Sequence, residues 1–157
     1  MERIGHVDDI DRNILSELQI DGRLSLTELA DRVQLSLSPC HRRLRNLERD
    51  GVIAGYRATI DPSSVGLDFE ALVFVTMGSA DRETLHAFES AVVATPAVID
   101  AQRLFGHPDY LLRILATNLT AYQQLYDDHL SALPGVQRLN STLVMKNVVD
   151  NRPPPLR

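Results

Sequence analysis

Apolar residues in the first fifty positions recur at helical spacing. Ile10, Ile14, Leu15 and Leu18 stand three or four apart, Asp8 sits where a cap belongs, and Asp21-Gly22 ends the run. That predicts a helix over 9–20. Ser25-Leu26-Thr27-Glu28 is a capping box opening a second helix, whose apolar side is Leu26, Leu29, Ala30 and Val33. After the short turn Gln34-Leu35-Ser36, Leu37, Cys40, Leu44 and Leu47 predict the apolar stripe of a third helix. It stops at Asp50-Gly51, glycine being a common C-terminal cap. The run from Val52 to Ile60 reads as a β-strand, closed by Asp61-Pro62. Three short helices and a strand, in that order, predict a winged helix-turn-helix.

Beyond a turn-rich stretch at 61–67 the period changes. Strands are predicted over 69–78, 97–105, 109–117 and 136–148, with helices over 81–93 and 119–132. Thr95-Pro96-Ala97-Val98 has a counterpart in Leu133-Pro134-Gly135-Val136, 38 residues on. The pattern is a βαβ unit used twice, joined by Gly106-His107-Pro108: a ferredoxin-like βαββαβ domain, an antiparallel sheet with helices on one face. The fold class is therefore α+β. The expected division is 1–60 for the winged helix-turn-helix, 61–67 for a linker, 68–150 for the ferredoxin-like domain, and 151–157 for a mobile, proline-rich tail.

Composition narrows this picture. With 44% apolar residues among 157, the chain has enough to fill a core. No apolar run approaches the roughly 20 residues needed to cross a bilayer, and no leader is visible, so no membrane partner and a cytoplasmic location are expected. The single cysteine, Cys40, leaves no intrachain disulfide and no cysteine-based metal cluster. Its place on an apolar stripe reads as a small buried hydrophobe. The net charge of -5 argues against a nucleic-acid partner until its placement is considered. Residues 36–57 carry Arg42, Arg43, Arg45, Arg49 and Arg57 against Glu48 and Asp50, a net +3, while the rest carries -8.

That basic segment is the third helix. Opposite its stripe stand Ser38, His41, Arg42 and Arg45, with Ser36 and Pro39 near the start. A recognition helix needs such a face to meet the major groove of double-stranded DNA. Ser36, Ser38 and Arg43 are read as contacts to backbone phosphates, and His41, Arg42 and Arg45 as reaching bases. An Arg-rich face is often merely solvated; the capped helix and short turn before it favour the DNA reading.

Taken in order, Asp11-Arg12-Asn13-Ile14-Leu15, Asp21-Gly22-Arg23, Glu28-Leu29-Ala30, Leu35-Ser36, Cys40-His41-Arg42-Arg43, Gly51-Val52-Ile53, Gly55-Tyr56 and Asp61-Pro62 form a specific series. Gly106-His107-Pro108-Asp109-Tyr110-Leu111-Leu112 and Leu133-Pro134-Gly135-Val136 extend it. Over residues 8–148 the chain resembles the Lrp/AsnC family of leucine-responsive and asparagine-responsive regulators. The resemblance implies a sequence-specific transcription regulator, not an enzyme, with no cofactor. It implies a homodimer made through the C-terminal sheet and assembling to octamers. It also implies a small effector, usually an amino acid, bound between dimers by Gly106, His107, Asp109 and Tyr110 and by Leu139, Ser141, Thr142, Leu143 and Val144 of the last strand.

The residues suit that chemistry. An amino acid needs an acceptor for its ammonium, which Asp109 supplies, and donors for its carboxylate, which Ser141, Thr142 and the backbone near Gly106 supply. The alternative reading of Gly106 and Asp109 is that they only shape a hairpin. His107-Pro108 stands where many members of that family carry more flexible or acidic residues, and proline stiffens the loop. Two rival readings stand beside this one. A tetrapyrrole decarboxylase would use His107, His129, Arg103 and Arg113; a nucleoid-organising protein would bind DNA without a ligand.

Overall fold

The computed structural model of the chain describes residues 7–156. The chain forms two compact units, a helical one up to Thr59 that includes the tail from Val149, and a sheet unit from Ile60 to Val148.

In the helical unit, α1 (Asp9–Ile20), α2 (Leu26–Arg32) and α3 (Leu37–Arg49) pack around Ile14, Leu29, Ala30, Cys40 and Leu47. Both expected caps are present. The Asp8 carboxylate accepts from the Asp11 amide, and the Ser25 hydroxyl from the Glu28 amide, each within a reciprocal capping box. Cys40 is fully buried, and that burial pushes its thiol pKa up, as for a packing residue rather than a reactive one. Two expectations need correction. Leu37 is half-exposed, so the apolar stripe starts at Cys40; the first turn of α3 reaches past the core. The run 52–60 forms no strand, because no second strand lies beside it among the described residues of this unit. The tail, expected to be mobile, is grouped with the helices; the Gln19 side chain donates to the Pro154 carbonyl at 3.3 Å.

The expected linker opens the sheet unit as an ordered turn. Pro62–Val65 is a short 3-10 helix whose Asp61 cap accepts from the Ser63 amide and from both serine hydroxyls. Then follow β1 (Phe69–Met77), α4 (Arg82–Val93), β2 (Val98–Arg103), β3 (Tyr110–Ala116), α5 (Leu119–Asp128) and β4 (Val136–Leu143). The strand order is β2-β3-β1-β4, with every neighbouring pair antiparallel. This is the expected ferredoxin-like topology. β4 ends at Leu143, five residues short of the expected strand.

Alternate residues of the two central strands are buried: Phe69, Ala71, Val73, Val75 and Met77 on β1, and Tyr110, Leu112 and Ile114 on β3. They meet Leu85, Phe88 and Val92 of α4 and Tyr122 of α5 in one core. The sheet therefore has a helix-covered face and an open face. The open face carries Glu70, Leu72, Phe74 and Thr76 of β1 beside Leu111 and Arg113 of β3, all only half-buried. Gly135 lets β4 start close to α4: its φ is +70°, and a side chain there would collide with Thr84.

Candidate functional site

The helical unit presents one cationic face. α2 ends at Val33, and Gln34 turns the chain in the left-handed region at φ 55°. The Leu35 amide then bonds back to the Ala30 carbonyl. This tight turn starts α3 at Ser36, whose backbone is extended as a cap should be. Its side chain accepts no helix hydrogen bond, unlike those of Asp8 and Ser25. The first amides of α3 and their positive dipole end are thus left for an outside anion.

Ser38, His41, Arg42 and Arg45 are exposed on one side of α3, while Pro39 is half-buried. Among the described residues the His41 and Arg42 side chains make no ion pair or hydrogen bond. Arg45 lies 3.6 Å from Glu48 and stays 70% exposed. Such a pair contributes little in water, so it would yield readily to a phosphate or a base edge. Arg43 behaves differently. It points inward, bonding Asp8 at 2.7 Å and Asp11 at 2.9 Å. To take the phosphate role expected of it, Arg43 would have to leave the two carboxylates that already hold its guanidinium. Spacing alone misses this because Asp8 and Asp11 lie more than thirty residues away.

In the sheet unit, the hairpin between β2 and β3 is pinned by Asp109. Its amide donates to the Val75 carbonyl at 2.9 Å, its carbonyl accepts from the Leu104 amide at 2.8 Å, and its carboxylate accepts from the Met77 amide at 2.7 Å. The carboxylate expected to meet an ammonium is thus tied to β1, the hairpin-shaping role that was the alternative for it. Gly106 stands at φ +138° at the hairpin tip, followed by a cis His107–Pro108 bond, with Phe105 fully exposed just before it.

A cavity of about 610 Å³ lies beside that tip, lined by Phe74, Thr76, His107, Pro108, Arg138, Leu139 and Asn140. Of the expected effector residues, His107 and Leu139 line it, and Gly106 adjoins it. Others do not converge there. Tyr110 is buried on the helix side, donating to Glu89 at 2.7 Å with its ring 4.6 Å from Phe88. Ser141 shares a hydrogen bond with the Tyr122 hydroxyl, also among the helices. Thr142 pairs with Leu72, Leu143 is exposed, and the Val144 amide donates to the Glu70 carbonyl. The sequence reading missed Phe74, Thr76, Arg138 and Asn140. Strand alternation was the available signal: Phe74 pairs with Asn140 and Thr76 with Arg138, which puts all four on one face. Arg138 brings a carboxylate donor, Asn140 and Thr76 bring donors and acceptors, and Phe74 and Pro108 bring apolar surface.

The residues considered for the decarboxylase reading do not meet. Arg103 lies 3.8 Å from Glu89 of α4, whereas Arg113 bonds Glu70 on the open face at 2.6 Å. They stand on opposite sides of the sheet, and His129 ends α5.

Comparisons with known proteins agree with this geometry. Residues 7–54 match the family model for winged helix-turn-helix DNA-binding domains, and residues 70–154 match the Lrp/AsnC ligand-binding domain. The leucine-responsive regulatory protein of Rhizobium meliloti is 39% identical over 144 residues, covering 92% of each chain. That of Escherichia coli K12 is 38% identical, covering 90% of this chain and 87% of the other. Among solved structures, a transcriptional regulator of Neisseria meningitidis in complex with L-methionine superposes with a TM-score of 0.90 at 37% identity, covering 95% of this chain and 96% of that one. A feast or famine regulatory protein of Mycobacterium tuberculosis, also complexed with L-methionine, gives 0.83 at 31%, covering 94% and 97%.

Proposed function

Since this chain belongs to the Lrp/AsnC family of DNA-binding transcription regulators, we propose a division of labour between its units and a residue-level reading of each. Residues 1–60 bind double-stranded DNA, 61–67 connect, and 68–150 bind an effector and self-associate. Ser38, His41, Arg42 and Arg45 of α3 meet the major groove, and the uncapped start of α3 at Ser36 takes a phosphate. The observation that carries this reading is the cationic face of α3, exposed and without strong partners.

The effector is an amino acid held in the cavity at the hairpin tip, its carboxylate on Arg138. Two relatives complexed with L-methionine support that class, and Phe74 and Pro108 suit an apolar side chain. The chain works in the cytoplasm as a homodimer formed through the open sheet face, able to assemble further to an octamer. It performs no catalysis. An amino acid regulates only by favouring one assembly or orientation over another.

The test has two arms. Footprinting of the DNA upstream of the protein's own gene should show salt-dependent protection. A thermal-shift screen of the twenty amino acids should raise the melting temperature with few of them, methionine foremost. No salt-dependent footprint at any ligand concentration overturns the DNA reading. No stabilisation by any amino acid overturns the effector reading and favours a ligand-free nucleoid protein.

A further inference from the structure

Arg43 stands in the middle of the recognition helix, yet its guanidinium turns away from the exposed cationic face. A single nitrogen, Nη1, donates to Asp8 at 2.7 Å and to Asp11 at 2.9 Å. Both carboxylates are shared with the start of α1. The other oxygen of Asp8 accepts from the Asp11 amide at 2.8 Å, and the other oxygen of Asp11 from the Asp8 amide at 3.3 Å. Each carboxylate thus gives one oxygen to the capping box of α1 and one to α3. The Arg43 side chain is 27% exposed and that of Asp11 13%, so water competes less at this pair than at the other α3 pairs, while Asp8 stays 43% exposed.

We propose that Arg43 is a positioning residue for DNA recognition: through Asp8 and Asp11 it fixes the rotation of α3 about its axis, and so the aim of Ser38, His41, Arg42 and Arg45, without touching DNA itself. The apolar packing of α3 through Cys40 and Leu47 allows small rolls, since dispersion contacts have no direction. A charged hydrogen-bonded fork does have direction. At a side-chain radius of about 5–6 Å, a roll of 20° moves a tip by about 2 Å. That exceeds the tolerance of a hydrogen bond to a base edge. The proposal rests on reading α3 as the helix that enters the groove.

The experiment uses the full chain and one duplex, selected by the wild-type protein from a random-sequence pool, against an unselected duplex of equal length. Kd is measured at several salt concentrations for the wild type, Asp11→Asn, Asp8→Asn, Arg43→Lys and Arg43→Ala, with melting temperatures to confirm that each is folded. Asp11→Asn should weaken selected-duplex binding fivefold or more, with unselected binding no weaker than that of the wild type and the salt slope unchanged. Electrostatics alone gives the opposite sign, because removing an anion from a DNA-binding unit tightens binding. Arg43→Ala should match Asp11→Asn, and the double variant should be no worse than either. Arg43→Lys should recover most of the affinity, since one donor nitrogen suffices, and Asp8→Asn keeps the cap and should lose less than Asp11→Asn.

A salt slope lowered by about 0.9 in Arg43→Ala would show a phosphate contact instead and overturn the proposal. So would tighter or unchanged binding by folded Asp11→Asn, even with a lower melting temperature, because the pair would then serve stability alone. If the wild type selects no duplex, the groove reading of α3 falls, and the positioning role with it.

Discussion

Arg42, Arg43 and Arg45 share one helix and one chemistry, and they differ in what each must give up to meet DNA. Arg42 gives up only hydration, Arg45 a long and exposed pair with Glu48, and Arg43 two short bonds to carboxylates. Replacing Arg42 by alanine should therefore weaken operator binding by about 1–3 kcal/mol if it reads a base, with discrimination lost at one position of the site. Competition against single-base operator variants checks this; a uniform loss across variants would make Arg42 a phosphate contact. In the sheet unit, Arg138→Gln removes the cationic donor in the cavity. The amino acid giving the largest thermal shift with the wild type should bind that variant roughly tenfold or more weakly, a charged hydrogen bond contributing about 1.5–3 kcal/mol. An unchanged shift would move the carboxylate elsewhere. The exposed face of α3 was legible because helical spacing sorts residues by side. The commitments of Arg43 and Asp109 were not, since their partners are distant in sequence and nothing local marks them.

Between elements, hydrogen bonds tie the sheet to its helices. Tyr110 of β3 donates to Glu89 of α4, and burial first, then the Glu89 carboxylate, push its phenol up to about 12. A tyrosine in the unfolded chain ionises near 10. The folded protein holds this proton to higher pH, so the stability it contributes is whole below pH 10 and is lost as the pH rises toward 12. The melting temperature of the wild type should fall more steeply over that window than that of Tyr110→Phe, and parallel curves would exclude the effect. Asn118 caps α5 by accepting from the Ala121 amide at 2.9 Å. Asn118→Ala should cost about 1 kcal/mol in denaturant unfolding, with the fold retained. Among the described residues, the five α-helices and the four strands of the sheet were readable, because capping residues and period changes are local signals. The strand expected over 52–60 is absent for the same reason: alternation gives a strand's tendency, but a strand exists only beside a partner. The strands also gave up less than they held. Alternation along β1 and β4 sorts Phe74, Thr76, Arg138 and Asn140 onto one face, yet the expected effector set ran straight along β4 and so took in both faces.

For the molecule as a whole, the open face of the sheet is the feature that the proposed self-association would explain. Leu72 and Leu111 lie on it together, and within this unit no element of the described residues covers them. Closing two such faces on each other would bury them at an effective gain of about 25 cal/mol per Å² of apolar surface. It would also supply the second recognition helix that a two-fold operator requires, with half-sites about one helical turn apart. Leu111→Glu places an anion at the centre of that face while leaving the helix-covered core and the helical unit untouched. The variant should sediment as a monomer and keep its far-ultraviolet circular dichroism. Its operator Kd should rise about 10²-fold or more, because the second helix no longer binds as part of the same molecule. The salt slope should fall to about half, as half the phosphate contacts are lost. That slope separates the mechanisms, since a misfolded face would reduce the active fraction without changing the ions released per binding event. A dimeric Leu111→Glu with wild-type affinity would assign the pairing surface to another part of the chain.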